Sequence, residues 1–461
     1  MLLKQPAAGG ESRKRDSFLC IKKYYFRIII LNVYLTKSLK IEKVFDIIKQ
    51  NETCGEWWRE CTMITRERYI EKVKPFVNTD IIKVFVGVRR CGKTVLLSQI
   101  QQLLIGEGVS EENFIKINFE SMRFSKIKTA NDLYSYVSDK VQNINGKVYI
   151  MLDEIQMVSQ WERAINSFRV DFDCDIYITG SNSKLLSGEL ATLLSGRYIQ
   201  IKVYPFVLSE MKKLWQEQGL YETNEKLFVN YLKYGGFPQR LLMREEQAIE
   251  TYLHDIYEAI VIRDIVERHS VKDISVLKRA LEFLLDNIGN PFSGRNISGR
   301  LTSEGMKIAT STLLNYVEYF KEAFVLFNAS RYDIKGKNIL ASTEKYYAVD
   351  VGLRNIVKKS EMLDSSKLYE NVVYLEMLSR GYEIQVGKLD EQEIDFICYK
   401  GSEKIYIQVA YLINESDMDR EFGNLEKIPD NYPKYVISGD LLDLSKNGII
   451  HKNIIDFLLE K

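Results

Sequence analysis

The chain has 461 residues, of which 46% are hydrophobic and 28% are charged, and its formal net charge is +1. Because a single hydrophobic core stops growing at about 250–300 residues, this length predicts several domains, and the near-zero charge excludes a chain-wide cationic coat for nucleic acid. The six cysteines have no paired C-x-x-C spacing, and no apolar run reaches the roughly 18–20 residues of a bilayer span, so we expect a cytoplasmic protein without a disulfide framework, a zinc site or a membrane span.

Residues 1–62 differ from the rest of the chain. They have a small, polar start, a basic cluster at residues 13–15 and an apolar run at residues 24–35. A secretion signal or a membrane-surface segment is disfavoured, because Arg27 and Asn32 interrupt the apolar run and no small-residue cleavage site follows. We predict a poorly ordered N-terminal extension, which is either an appended segment or translated sequence upstream of a natural start at Met63.

A glycine-rich stretch follows the first strand predicted for the core. Residues 81–86 are rich in β-branched and aromatic side chains, and apolar residues recur at helical spacing after Thr94. Between these elements, residues 87–94 have the spacing G-x-x-x-x-G-K-[ST] of a P-loop. The predicted nucleotide-binding residues are Gly87, Val88, Arg89, Arg90, Cys91, Gly92, Lys93, Thr94 and Val95.

The residue types of this loop suit the binding of ATP and Mg²⁺. Gly87 and Gly92 are expected to permit backbone conformations that a Cβ atom opposes, so that successive N–H groups surround a phosphate. Lys93 is predicted to contact the β and γ phosphates, and the Thr94 hydroxyl to bind Mg²⁺.

A second strand ends in two carboxylates. Residues 147–152 form an apolar run that is followed by Asp153 and Glu154. Because ligands of open parallel sheets lie at the carboxyl ends of the strands, we expect Asp153 to order Mg²⁺, directly or through a water. Glu154 is predicted to polarise the attacking water. Alone, such a run is more often a strand before a solvated turn, but the upstream P-loop makes it the second half of one site.

Two later positions complete the predicted catalytic residues. A predicted strand ends in Gly180-Ser181-Asn182. At this place the side chain of Asn182 or Ser181 can contact the γ phosphate or the attacking water. The alternative is a plain turn, since Gly-Ser-Asn is also an ordinary turn sequence. Arg197 is either an arginine finger, acting on its own nucleotide or on a neighbour's in a homo-oligomer, or a plain surface arginine.

Together these stretches resemble the prokaryotic AAA-type P-loop ATPases that carry a long C-terminal region of unknown function. The resemblance covers residue 63 to the end of the chain, and it implies ATP and Mg²⁺ as ligands. The matching stretches are Gly87-Val-Arg-Arg-Cys-Gly-Lys-Thr94, Leu152-Asp-Glu-Ile-Gln156, Ile178-Thr-Gly-Ser-Asn182, Ser195-Gly-Arg-Tyr198, Tyr204-Pro-Phe206 with Glu210, and Tyr234-Gly-Gly-Phe-Pro238. Cys91 and Thr94 stand where many members carry serine, and threonine also supplies a hydroxyl.

Helical patterns and one hairpin follow the predicted core. Residues 207–270 are predicted to form a helical lid and a long connecting helix. Three further helices and a hairpin within residues 323–347 give the layout of a winged helix, whose third helix faces the DNA major groove in DNA-binding members. Candidate DNA contacts on that helix and on the wing are Lys307, Thr310, Ser311, Thr312, Asn315, Arg331, Lys335 and Lys337. Many winged helices bind protein instead.

The last hundred or so residues resemble the restriction-endonuclease-like fold. Asp395 on a predicted strand matches its first acid, and Glu370 and Glu376 lie on the preceding predicted helix. Gln408 and Ala410 replace the acid and the lysine of the E-x-K motif, so the metal loses a carboxylate ligand and the water loses its activating charge. Nuclease activity is therefore disfavoured relative to a role in packing or in holding a partner.

The sequence thus predicts an α/β fold with a parallel-sheet P-loop NTPase core, a helical lid, a winged-helix domain and a C-terminal α/β restriction-endonuclease-like domain. The predicted bounds are 1–62, 63–206, 207–270, 271–350 and 351–461. The predicted function is a Mg²⁺-dependent ATPase that couples hydrolysis to a shape change in the C-terminal region. The alternatives are a P-loop phosphotransferase acting on a small molecule and a nucleotide-switched DNA-binding protein.

Overall fold

A computed structural model describes residues 64–183, 194, 196–358 and 364–460. The poor order predicted for residues 1–62 lies outside the described residues, as does Ser195 of the Ser-Gly-Arg-Tyr stretch.

The first half of the described chain contains a parallel sheet of five strands in the order β2-β3-β4-β1-β5. In chain order the strands are β1 Ile82–Val86, β2 Phe114–Asn118, β3 Val148–Asp153, β4 Cys174–Gly180 and β5 Tyr198–Lys202. Every residue of β1 and β3 is buried, as the apolar runs in the sequence predict for strands that are covered on both faces. Because β4 lies between β1 and β3, the carboxyl ends of these three strands meet at one edge of the sheet.

Four α-helices in the described part of this region accompany the sheet. They are α1 Glu67–Val73, α2 Lys93–Gly106, α3 Ala130–Val141 and α4 Trp161–Asp171. The hydroxyl of Thr129 accepts the N–H of Asp132 and the carboxylate of Asp132 accepts the N–H of Thr129, which caps the start of α3. Helix α2 begins directly after Gly92 of the predicted P-loop.

A helical region follows β5, as the sequence predicts. It contains α5 Leu208–Glu217, α6 Asn224–Tyr234 and α7 Glu246–Ala259, and α7 continues as a π-helical segment Ile260–Val266 and a last α-helical turn Glu267–His269. The stretch Tyr234-Gly-Gly-Phe-Pro238 ends α6 and contacts the later part of the chain, since the N–H of Gly236 donates to Oδ2 of Asp350 over 2.6 Å. This region is therefore bonded to the C-terminal half of the protein.

Three helices and a hairpin come next, in the predicted order. The helices are α8 Ile274–Asp286, α9 Gly294–Ser303 and α10 Thr310–Glu322, and the hairpin strands are β6 Leu326–Asp333 and β7 Asn338–Ala348. The hairpin does not stand free as a wing, because β6 also pairs in parallel with β8. Its outer backbone groups are thereby satisfied by a strand from the C-terminal region. The predicted domain boundary at residue 350 falls between β7 and β8, which belong to one sheet. The boundary therefore stays a prediction.

The C-terminal region completes a mixed sheet of seven strands in the order β12-β11-β10-β9-β8-β6-β7. Its strands are β8 Glu383–Leu389, β9 Gln392–Lys400, β10 Glu403–Val409, β11 Lys434–Ser438 and β12 Ile450–Asn453. Its helices are α11 Val351–Lys358, α12 Ser365–Arg380, α13 Met418–Glu421, α14 Gly423–Glu426 and α15 Ile454–Leu459. None of the described helices combines the length and the apolar character that a bilayer crossing requires.

Candidate nucleotide site

The predicted P-loop connects β1 to α2, as its motif requires. Gly92 has a φ of 102°, a left-handed conformation that favours glycine. Gly87 is needed for a different reason, because a Cβ atom at this position would overlap the carbonyl oxygen of Val203. The expectation of a special backbone conformation is therefore met at Gly92, whereas close approach of a neighbouring segment explains Gly87.

Lys93 is buried beneath the loop. Its Nζ donates to the carbonyl oxygens of Gly87 at 3.0 Å and Val88 at 3.2 Å, and it lies 3.7 Å from Oε1 of Glu154. Only 4% of the lysine is exposed. A buried ammonium needs such acceptors, and here they hold it between the loop and Glu154.

The structure brings Thr94 and Asp153 together. The Thr94 hydroxyl donates to Oδ2 of Asp153 over 2.8 Å, and Nδ2 of Asn118, at the end of β2, donates to the same oxygen over 3.0 Å. The hydroxyl of Thr179, on β4, donates to Oδ1. Burial raises the pKa of Asp153 above its usual range, although the hydrogen bonds from Thr179 and Thr94 act in the opposite direction.

Glu154 follows directly and occupies a left-handed conformation with a φ of 56°. Its N–H donates to the Thr179 hydroxyl over 3.0 Å, and its Oε2 accepts from Nε2 of Gln156 over 2.5 Å. Burial favours a raised pKa for this carboxyl, but the Lys93 ammonium and the Gln156 amide outweigh it and hold the pKa of Glu154 below its usual value. Glu154 is therefore an ionised carboxylate at neutral pH.

A cavity of about 610 Å³ lies over the loop. Its lining includes part of the predicted P-loop together with Glu154, and it adds residues that the sequence analysis did not assign. These additions are Glu120, Met157, Pro238, Gln239 and Arg263. Arg263 comes from the π-helical segment, so the helical region closes one side of the cavity. The only sequence signal for this position is a charged pair, Arg263 and Asp264, within an apolar stretch.

The loop is also ion-paired to the π-helical segment. Nε and Nη2 of Arg89 donate to the two carboxylate oxygens of Asp264 at 3.1 and 3.0 Å, across 175 positions of sequence. Nη1 of Arg89 donates to Glu120 over 3.1 Å. Asp264 is 2% exposed, and such two-point pairs fix orientation as well as distance.

A second arginine holds the loop from beneath. Arg66 is 2% exposed, and its Nη1 donates to the carbonyl oxygen of Cys91 over 3.2 Å. The same guanidinium donates to the carbonyl oxygen of Tyr204 over 3.0 Å and to both carboxylate oxygens of Glu210 at 2.8 and 2.9 Å. Sequence reasoning missed Arg66, because a lone arginine before a short helix carries no recognisable signal.

The remaining predicted site residues lie apart from the cavity lining. Asn182 is buried just after β4, at the same sheet edge as Asp153. Arg197 lies before the start of β5, where its carbonyl oxygen accepts the N–H of Ile82 at the start of β1. It is thus at the opposite sheet edge from the P-loop, its side chain is exposed, and its Nη1 donates to Oδ1 of Asn166. The structure does not bring Arg197 to the site of its own chain.

The predicted DNA-contact positions divide into two groups. On α10, Ser311 and Asn315 are exposed. On the hairpin, Arg331 pairs with Glu393 at 3.2 Å and Lys335 with Asp390 at 2.6 Å. Each of these two cations therefore lies beside a carboxylate of the C-terminal region, and the Lys335 pair is exposed to solvent.

Of the predicted nuclease-like acids, Glu370 and Asp395 lie around a buried lysine. Glu376 does not join them, since it pairs with Arg68 and Arg380. Nζ of Lys345 lies 3.1 Å from Glu370 and 2.7 Å from Glu393, and the charge of Glu370 adds to burial in raising the pKa of Asp395 far above its usual value. Oδ2 of Asp395 accepts the N–H of Val409 over 2.8 Å. The cluster is therefore bridged by a cation that the chain itself supplies.

Comparison with known proteins matches two parts of the chain to families. Residues 79–212 match a family described as an AAA domain, and residues 225–364 match a domain of unknown function, DUF8612. An uncharacterized protein of Haemophilus influenzae is 42% identical over 399 residues, which cover 86% of this chain and 99% of that protein. The uncharacterized protein MJ1544 of Methanocaldococcus jannaschii is 33% identical over 377 residues, covering 78% of this chain and 82% of that protein.

Similarity to solved structures is weaker. The ORC1 protein of Aeropyrum pernix, solved in complex with DNA, has a TM-score of 0.31 and 12% identity, covering 64% of this chain and 91% of that chain. A likeness at this level carries no information about function.

Proposed function

Since the chain belongs to the prokaryotic family in which an AAA domain precedes the domain of unknown function DUF8612, we propose that it is a Mg²⁺-dependent ATPase. The observation that carries this proposal is the 2.8 Å hydrogen bond between the Thr94 hydroxyl and the Asp153 carboxylate. It puts the hydroxyl of a P-loop and the carboxylate of a strand end within reach of one cation.

The P-loop residues 87–95 hold the triphosphate in this proposal. Their N–H groups and the start of α2 provide an anion site, and Gly92 supplies the left-handed turn that aims those groups. Lys93 exchanges its bonds to the Gly87 and Val88 carbonyl oxygens for phosphate oxygens. Arg90 and Arg263, which line the cavity, add positive charge to it.

Thr94 and Asp153 hold Mg²⁺, which supplies charge stabilisation to the phosphates when it is bound. The fit rests on the donor set, since a hydroxyl and a carboxylate are the oxygen ligands that Mg²⁺ prefers. Asn118 and Thr179 fix the orientation of the Asp153 carboxylate through their hydrogen bonds.

Glu154 activates the attacking water. A general base must be ionised and must lie beside the reacting phosphate, and the carboxylate of Glu154 is ionised and lines the cavity next to Lys93. Asn182 is proposed to orient the water or the γ phosphate from the neighbouring strand, after a side-chain rearrangement. Arg197 is proposed to act only on the nucleotide of an adjacent copy in a homo-oligomer.

Coupling to the rest of the chain runs through two contacts. Arg89 joins the P-loop to Asp264 on the π-helical segment, and Gly236, close to the cavity residue Pro238, bonds to Asp350 at the start of the C-terminal region. We assign residues 63–206 to the ATPase core and residues 207–270 to the lid and connector. Residues 271–350 and 351–461 are the two C-terminal regions whose shape changes on ATP hydrolysis in this proposal.

Phosphate release from ATP tests this proposal. The full chain is expected to release phosphate without any added acceptor, and chelation of Mg²⁺ by EDTA is expected to stop the release. A phosphotransferase, the first alternative, transfers phosphate only when a small-molecule acceptor is present. Turnover that needs an acceptor, or that continues in EDTA, overturns the proposal.

DNA binding is the second alternative, and the exposed Ser311 and Asn315 on α10 favour it. The ion pairs of Arg331 and Lys335 with carboxylates weaken it, because the negative charge beside each cation opposes the approach of a DNA phosphate. An electrophoretic shift with and without ATP, repeated across salt concentrations, distinguishes a nucleotide-switched DNA-binding protein from an ATPase without affinity for DNA.

A further inference from the structure

A second large cavity, of about 670 Å³, lies between the two sheets and away from the nucleotide site. One wall is formed by β5. The opposite wall comes from β6, α12 and the start of β8. The lining of this cavity includes Lys72, Gln200, Lys202, Phe327, Tyr374 and Glu383.

The β5 wall is an open strand edge. Among the strands that the structure describes, β5 is the last one of the five-stranded sheet and pairs only with β1. The carbonyl oxygen of Arg197 and the N–H of Val203 both bond to β1. Backbone groups alternate in direction along a strand, so the N–H and C=O groups of the odd-numbered residues of β5 point toward β1 and those of the even-numbered residues point away from it. The N–H and C=O groups of Tyr198, Gln200 and Lys202 therefore point outward, and no backbone group among the described residues bonds to them.

The opposite wall is apolar and aromatic where it faces β5. Phe327 packs edge-on against Tyr204, with ring centroids 5.6 Å apart. The hydroxyl of Tyr374 is already used, since it donates to the carbonyl oxygen of Asn328. A strand laid along β5 would thus find main-chain partners on one side and apolar contacts on the other, which is the arrangement that recognises extended peptides.

Lysines outnumber carboxylates in the cleft. Lys72 and Lys202 line it together with one acidic residue, Glu383, and Lys400 lies beside Lys72. Within the described ranges none of the three has a carboxylate within ion-pairing distance, and Lys72 donates only to the carbonyl oxygen of Ser379 over 3.3 Å. Burial lowers the pKa of Lys72, and the charges of Lys400 and Arg68 lower it further. An anionic occupant would relieve this crowding of like charges.

We propose that this cleft binds an extended, acidic peptide segment of a partner protein, which adds a strand to β5 and places its carboxylates against Lys72 and Lys202. The open edge selects an extended backbone, and the excess of lysines over carboxylates selects its charge. The proposal is independent of ATP hydrolysis, because β5 and its cleft share no lining residue with the nucleotide cavity.

The test uses the full chain and two fluorescein-labelled heptapeptides, one alternating valine with glutamate and one alternating valine with lysine. Fluorescence anisotropy is expected to show binding of the glutamate peptide, about tenfold or more tighter than that of the lysine peptide and weakened by salt. Amide hydrogen exchange is expected to slow at Gln200 and Lys202 when the glutamate peptide binds. The other edge of the same sheet, β2, serves as the internal reference and is expected to be unchanged.

Two variants separate strand addition from charge attraction alone. Gln200→Pro removes an outward N–H, and proline is tolerated at edge positions of this kind. The affinity of this variant for the glutamate peptide is expected to be about tenfold lower than that of the parent chain. Gln200→Ala keeps the N–H and is expected to bind like the parent chain. The double change Lys72→Glu with Lys202→Glu is expected to reverse the preference between the two peptides.

Three outcomes would overturn the proposal. The first is that neither peptide binds. The second is that the glutamate peptide binds Gln200→Pro as tightly as it binds the parent chain and does not slow amide hydrogen exchange in β5. The third is protection of β5 that rises with protein concentration in the absence of peptide, which would assign the edge to a second copy of the chain.

Discussion

The Oγ1 hydroxyl of Thr94 donates a hydrogen bond to Oδ2 of Asp153 over 2.8 Å, although the two residues are 59 positions apart in the chain. The parallel order β3-β4-β1 produces this meeting, because it gathers the carboxyl ends of the three strands at one edge. The contact is the geometric basis of the proposed Mg²⁺ site.

Removal of the Thr94 hydroxyl should weaken the metal site without unfolding the chain. In Thr94→Ala, Asp153 keeps its hydrogen bonds from Asn118 and Thr179, so the carboxylate stays in place while Mg²⁺ loses one ligand. We expect the Mg²⁺ concentration for half-maximal phosphate release to rise roughly 10–100-fold. Thr94→Ser is the control and should behave like the parent. An unchanged Mg²⁺ dependence in Thr94→Ala would contradict the assignment.

Gly87 is expected to be intolerant of any side chain. In Gly87→Ala the new Cβ overlaps the carbonyl oxygen of Val203, and the resulting shift should lower the free energy of unfolding by roughly 1–3 kcal/mol. Gly106→Ala is the matched control at the far end of α2, where no heavy atom lies within 4 Å, and it should be neutral or stabilise by up to about 1 kcal/mol. Urea denaturation measures both, and equal effects would refute the close-approach explanation.

Arg66 is expected to matter for stability and for the shape of the P-loop. Arg66→Met leaves Glu210 without its buried partner and the Cys91 carbonyl oxygen without a donor, which should cost about 3–5 kcal/mol of unfolding free energy and weaken nucleotide binding. Lys213→Met removes an exposed ion pair with Glu67 and should cost less than about 1 kcal/mol. Thermal unfolding with a nucleotide titration distinguishes the two, and an Arg66→Met protein as stable as Lys213→Met would contradict this role.

Stability should depend on pH through His451. Its Nδ1 accepts the N–H of Leu444 and its Nε2 is hydrogen-bonded to Ser438, an arrangement that suits the neutral ring. Burial lowers the pKa of His451 in the folded chain below the value of about 6.5 in the unfolded chain. The unfolded chain therefore takes up a proton first, and the stabilisation is complete above pH 6.5 or so and is lost progressively as the pH falls below it.

Chemical denaturation from about pH 5 to 8 checks this dependence when the parent is compared with His451→Gln, since other titrating groups cancel in the difference. The stability advantage of the parent over the variant should shrink as the pH falls. An advantage that grows on acidification would mean that the folded chain favours the charged ring.

The sequence predicts the parts of the site that lie in one continuous stretch. Residues 87–94 and the pair Asp153 and Glu154 each follow an apolar strand, and the parallel sheet explains why their positions converge. Arg66 and Arg263 were not assigned, because neither belongs to a motif and each reaches the site only through the folding of the chain. Their contributions depend on tertiary packing, which a local pattern does not encode.

In the C-terminal half, too, local patterns predict the elements but not the contacts between distant segments. The helices and hairpins follow from periodicity, and their order is as expected, but the parallel pairing of β6 with β8 joins segments that the sequence analysis assigned to separate domains. Similarly, Arg197 has the residue type of an arginine finger, yet its place at the amino end of β5 sets it at the far edge of the sheet. Strand direction, rather than residue type, decides which side chains can share a site.

The most direct test of the account compares nucleotide binding with hydrolysis in two variants. Fluorescent ATP binding and phosphate release are measured on the parent, Lys93→Ala and Glu154→Gln. The account predicts that Lys93→Ala loses both, whereas Glu154→Gln binds ATP like the parent and releases phosphate at a rate lower by at least about a hundredfold. Phosphate release by Glu154→Gln at the rate of the parent would contradict the central claim that this carboxylate and the P-loop act on one triphosphate.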